Sequence, residues 1–161
     1  GPPALALGLD PPMSDQMREP PRDPRDGLLG VREALWIAYS GAGMGALAVL
    51  AYATSDPSTG IGRSVAFAVL GVAPLAHVWN CRSFTASAIS MRPFLPRHIA
   101  IAVAISATVH LGAVLVPPLR ALYGAHRLSV REWLGAVALS LLIIPWVEAA
   151  KLVQRRRSAS S

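Results

Sequence analysis

Six side chains of the 161-residue sequence carry chemistry that an apolar setting would amplify: His77, Asn80, Cys81, His110, Glu148 and Lys151. His77 and Asn80 stand one helical turn apart, so a helix presents them on a common face. They read as interfacial polar residues at a helix end, with contact to an ion as the competing assignment. His110 is a lone histidine inside an apolar run, a functional candidate by default within a membrane. One histidine without a carboxylate cannot make a proton relay, and its expected part is a hydrogen bond to a neighbouring helix. Glu148 and Lys151 are spaced to pair across one turn, which suits anchoring better than catalysis. Cys81 is the single cysteine; it excludes an internal disulfide and any cysteine-based zinc site, and an inert packing role is expected. No Ser-His-Asp arrangement, metal-ligand spacing or G-x-x-x-x-G-K-(S/T) phosphate loop is present.

The elements that hold these residues are four long apolar runs. The chain is 53% hydrophobic and only 15% charged, with mean hydropathy +0.44, against about 25% charged residues in a soluble domain. The runs cover about 34–53, 62–79, 98–116 and 132–153. Each is near the roughly 20 residues that span a bilayer core, so the fold class is all-α, a polytopic membrane protein. In the first run Gly41-x-x-x-Gly45, beside alanines 34, 38, 42 and 46, makes smooth faces on which helices approach closely. The second run, inside the stretch Arg63–Ser83, carries Pro74, which frees a backbone carbonyl and bends a helix. It ends in the interfacial group Trp79 and Arg82. Ser129 with Glu132 three residues later is a capping box that starts the fourth helix. Residues 1–27 are too broken by proline for a helix of any length. The net charge of +6 does not point to nucleic acid, because the basic residues lie in loops between apolar runs rather than along one helix face. No charged segment followed by an apolar core opens the chain, so no secretory signal is expected; the opening glycine leaves it open to being a fragment.

The order of motifs has a further meaning. Gly1–Gly8, Asp10-Pro11-Pro12, Met17-Arg18 and Pro20-Pro21-Arg22-Asp23-Pro24-Arg25 come first, with Glu19 among them. Asn80-Cys81-Arg82-Ser83 leaves the second helix, Val116-Pro117-Pro118-Leu119 stops the third, and Leu128–Leu134 opens the fourth. Glu148-x-x-Lys151 and Arg155-Arg156-Arg157 close it. This series resembles the C-terminal transmembrane domain of P-type cation-transporting ATPases, closest to the calcium-pump branch. The departures are Glu19, where the family carries arginine, and Pro74, where it carries a glutamate or glutamine that helps form an ion site.

The resemblance implies a proline-rich cytosolic connector over 1–31 and a four-helix domain over 32–161 with a basic tail. The chain would begin just after the ion-binding aspartate of the preceding helix. Its implied function is to brace the ion-carrying helices of an ATP-driven cation transporter of calcium type. The metal site is expected to gain nothing from this chain, since Pro74 has no side-chain ligand. ATP and magnesium are implied only for a complete pump, because no D-K-T-G-T occurs here. The interiors of the four runs hold no Asp or Glu, with Glu33 and Glu148 at their edges, whereas calcium takes six to eight oxygens. Implied partners are the bilayer, the rest of the pump and the transported cation. Of the fifteen basic residues, eleven fall in 1–33, 80–98 and 148–161, which puts both termini in the cytosol by the positive-inside rule; the expected membrane is the plasma membrane. Two other readings are a stand-alone four-helix protein that assembles with or regulates a pump, and a scaffold that binds anionic lipid through Arg155, Arg156 and Arg157.

Overall fold

The computed structural model describes residues 2–9, 30–56, 58–82 and 96–158, apart from the side chains of Arg32, Arg155, Arg157 and Ser158. The connector motifs from Asp10 to Arg25 and most of the loop after Arg82, with Arg92 and Pro93, lie outside the described residues. Those described form helices and connecting turns, with no strand among them: α1 (Pro2–Leu7), α2 (Val31–Ala53), α3 (Ile61–Cys81), α4 (Arg97–Leu115), α5 (Pro117–Leu122), α6 (Val130–Leu141) and α7 (Ile143–Ser158). Four stretches are long and apolar enough to cross a membrane: Glu33–Ala53, Ile61–Cys81, Arg97–Leu115 and Val130–Gln154, the last made of α6 and α7.

The second span is the hub. α3 packs against α2, α4, α6 and α7, because small residues line its inward faces: Ala68, Val69 and Ala73 are fully buried and Ala76 nearly so. Small side chains let neighbouring backbones come close, which is how helices gain dispersion energy inside lipid. At its start Gly62 faces the Tyr52 carbonyl, and a Cβ there would sit 3.1 Å from that oxygen.

The turn between α2 and α3 is built locally. Thr54 and Ser55 hydroxyls donate to the Leu50 and Ala51 carbonyls at 2.8 and 2.7 Å, satisfying acceptors that a helix end leaves bare. One Asp56 oxygen accepts from the Ser58 amide at 2.9 Å and its hydroxyl at 2.7 Å. Those bonds hold the Asp56 carboxyl below its ordinary value. Gly60, at φ +68°, supplies the left-handed residue that turns the chain into α3.

Proline accounts for three departures from the sequence expectations. Residues 2–7 do form a short helix, because Pro2 and Pro3 occupy its first turn, where no intrahelical amide is needed. Its Ala6 is buried with Val78, Ile99 and Ala102, so α1 docks where α3 ends and α4 begins. Pro117 and Pro118 end α4 and at once begin α5. The fourth span, expected as one helix over 132–153, divides at Leu142. Pro145 offers no amide to the Leu141 carbonyl and its ring crowds it, and the Leu142 amide tightens onto the Leu139 carbonyl at 3.1 Å. The start of α6 is a complete capping box: the Ser129 amide donates to Glu132 Oε2 at 2.5 Å, and the Glu132 amide to Ser129 Oγ at 3.3 Å.

Candidate functional site

Lys151 is the most deeply buried charge among the described residues, at 1% exposure. It projects from α7 onto the end of α3. Its Nζ donates to the backbone carbonyl of Asn80 at 3.1 Å and to Glu148 Oε1, also at 3.1 Å. The Asn80 carbonyl belongs to the last turn of α3, which carries no intrahelical donor and holds the negative end of the helix dipole. An ammonium from a neighbouring helix answers both needs. Asn80 is itself 1% exposed, and its Nδ2 reaches back toward the Ile143 carbonyl of α7 at 3.5 Å, the outer limit of hydrogen bonding. The two helices are thus clasped by polar groups above the apolar contacts of Ala76, Ile143 and Val147.

His77 and Asn80 do come to one place with Glu148 and Lys151. The His77 Nδ1 and Asn80 Oδ1 are buried without a hydrogen-bond partner. This group suits a clasp better than an ion site. It offers one carboxylate, already bonded to an ammonium that occupies the electrostatic position a metal ion would need. No three of His, Cys, Asp and Glu converge anywhere among the described residues in a way that could hold a metal ion. Pro74 lies one turn before His77 on an exposed face of α3. Cys81, expected as a packing residue, is an exposed free cysteine on the last turn of that helix. Arg156 is exposed on α7; the side chains of Arg155 and Arg157 lie outside the described residues.

His110 belongs to a different contact, toward the other end of α3. Its ring stacks on Phe67, centroids 5.1 Å apart, and Phe67 in turn meets Tyr123 at 5.5 Å. The imidazole fills the notch left by Gly71, where a Cβ would overlap it, and it bonds with the Ala68 backbone. The pair Gly41 and Gly45 makes no close approach within the chain: a Cβ at either would meet nothing within 4 Å. The glycine between them does. At Gly43 a Cβ would come 2.6 Å from the Trp146 indole nitrogen. Trp146 stacks on Tyr39 at 5.2 Å, and the Tyr39 hydroxyl donates to the Trp146 carbonyl at 3.1 Å. Spacing alone selected the outer two glycines, and only the position of the indole on α7 singles out the middle one.

These helices can be compared with known proteins. The family model described as "Cation transporting ATPase, C-terminus" matches residues 1–153. The chain belongs to this family. It is 30% identical over 161 residues to a calcium-transporting ATPase of Bacillus subtilis (strain 168), covering 98% of this chain and 18% of that protein. It is 27% identical over 172 residues to calcium-transporting ATPase 1 of Bacillus cereus (strain ATCC 10987 / NRS 248), covering 95% and 19%. With the mouse calcium-transporting ATPase type 2C member 2 the identity is 28% over 162 residues, covering 96% and 17%. The chain therefore spans about a fifth of the length of these relatives. Four apolar spans in a cation-transporting ATPase C-terminal domain make it a multi-pass membrane protein.

Proposed function

We propose that this domain is the membrane support of an ATP-driven cation pump of the calcium-transporting type, bracing the helices that carry the ion without binding it. The observation that carries the reading is the clasp: the buried Lys151 ammonium of α7 is engaged by the Asn80 carbonyl at the end of α3 and by Glu148. Calcium wants several carboxylate and carbonyl oxygens, and the spans provide no such cluster among the described residues. Pro74 stands where the resemblance places a side-chain ligand, so on this reading α3 gives the ion no side-chain oxygen and the cation is chosen elsewhere. ATP and magnesium would act on the rest of the pump, since the D-K-T-G-T motif does not occur in this sequence. Both termini lie in the cytosol and the membrane is the plasma membrane, with residues 1–33 and 80–98 against cytosolic parts of the same pump.

The coding sequence upstream of Gly1 tests this first. The expected result is an open frame running back through an ion-binding aspartate to D-K-T-G-T, in a polypeptide whose membranes accumulate calcium when ATP is added. A stop codon followed by a start codon immediately upstream of Gly1 would overturn it in favour of a separate four-helix protein.

A further inference from the structure

At the end of the bundle opposite the clasp, a cleft of about 800 Å³ opens between the α2–α3 turn and the start of α6. Its size is that of a small-molecule site, and its lining divides by chemistry. The mouth carries Asp56, Arg131 and Glu132 with the hydroxyls of Thr54, Thr59 and Ser129. The floor is apolar and runs down between the helices past Ala51, Val65, Ala136 and Leu139. A polar mouth at the ends of membrane spans, above an apolar floor, matches an amphiphile standing in one leaflet. The charges narrow the choice. The lining holds two carboxylates and one guanidinium, so a purely anionic headgroup gains no net attraction from it, whereas a headgroup with both an ammonium and a phosphate meets a partner for each.

Both carboxylates keep an oxygen to spare. The Ser58 donors go to Asp56 Oδ1, and the Ser129 amide goes to Glu132 Oε2. We propose that this cleft binds one aminophospholipid of the phosphatidylethanolamine class. The ammonium lies between Asp56 and Glu132, the phosphate on Arg131 and the neighbouring hydroxyls, and an acyl chain on the apolar floor. Gly135 keeps the cleft open, since a Cβ there would meet nothing within 4 Å.

Native mass spectrometry of the whole polypeptide tests the site, titrating phosphatidylethanolamine against phosphatidylglycerol of the same chain length. The expected result is one retained ethanolamine lipid, favoured over the glycerol lipid by about five-fold, the range of an exposed charge pair. Asp56→Asn keeps a side chain that supports the same turn and should erase that preference. Gly135→Leu fills open space and should remove the retained lipid while leaving the thermal midpoint in detergent unchanged. Equal retention of the two lipids by the native protein, or retention unaltered in Gly135→Leu, would overturn the proposal.

Discussion

The two ends of α3 solve the same problem in opposite ways. Both leave backbone groups bare where the helix stops, and both gather charged side chains. At the Ile61 end most bonds stay within the turn: Thr54 and Ser55 hydroxyls close the last carbonyls of α2, and Ser58 bonds to the exposed Asp56. The Ile61 amide donates to Thr59 Oγ1 at 3.4 Å, while the His126 amide donates to Ser64 Oγ at 2.6 Å. At the Cys81 end the answer comes from 71 residues away, through an ammonium at 1% exposure. A local, solvated answer is cheap to lose because water replaces it. A distant, buried one is not, since removing one partner strands the other in a low-dielectric site. The buried end is thus where α7, the second half of the fourth span, is tied to the hub by polar groups.

The contrast can be broken most directly at Glu148. Glu148→Leu leaves the Lys151 ammonium without its carboxylate and should cost about 3 kcal/mol, measured as unfolding in bilayer nanodiscs. Adding Lys151→Met should recover part of that loss, since an apolar replacement of a whole buried pair is often tolerated. Next in size is Gly43→Ala, whose methyl group must displace the Trp146 indole from its place beside Tyr39. A loss of about 1–3 kcal/mol is expected, with quenching changes in tryptophan fluorescence. Gly41→Ala, two residues earlier and facing open space within this chain, should change the isolated domain by less than about 0.5 kcal/mol. Ser129→Ala removes one arm of the capping box at the locally answered end and should cost about 1 kcal/mol, seen as faster amide exchange at the first turn of α6. The smallest effect belongs to Asp56. Its carboxyl is held below the ordinary value by Ser58, so its small contribution is present at neutral pH and is lost as pH falls through that lowered value. The Ser58 amide resonance should report this titration, with only a slight change in global unfolding.

Much of the architecture was readable in the chain because a span needs only length and apolarity. The runs around 34–53, 62–79 and 98–116 match α2, α3 and α4 to within three residues at either end, and S-V-R-E sufficed to mark the start of α6. The three-residue interval between Glu148 and Lys151 likewise indicated their pairing, found at 3.1 Å. The reach of Lys151 to Asn80 was not readable, because nothing local encodes a contact between residues 71 apart. Nor was the choice of Gly43 over Gly41 and Gly45, which depends on where α7 places an indole. Proline misled in both directions: it opens α1 where a break was expected, and it divides the fourth span where continuity was expected. Its effect depends on whether the missing amide falls in a first turn or in a helix interior.

One measurement weighs support against ion binding. In the whole polypeptide, Lys151→Met should lower the thermal midpoint of the membrane domain while leaving the calcium concentration for half-maximal ATP-driven uptake unchanged in the folded fraction. A shift in that concentration with no loss of thermal stability would contradict the account and make the end of α3 part of the ion path.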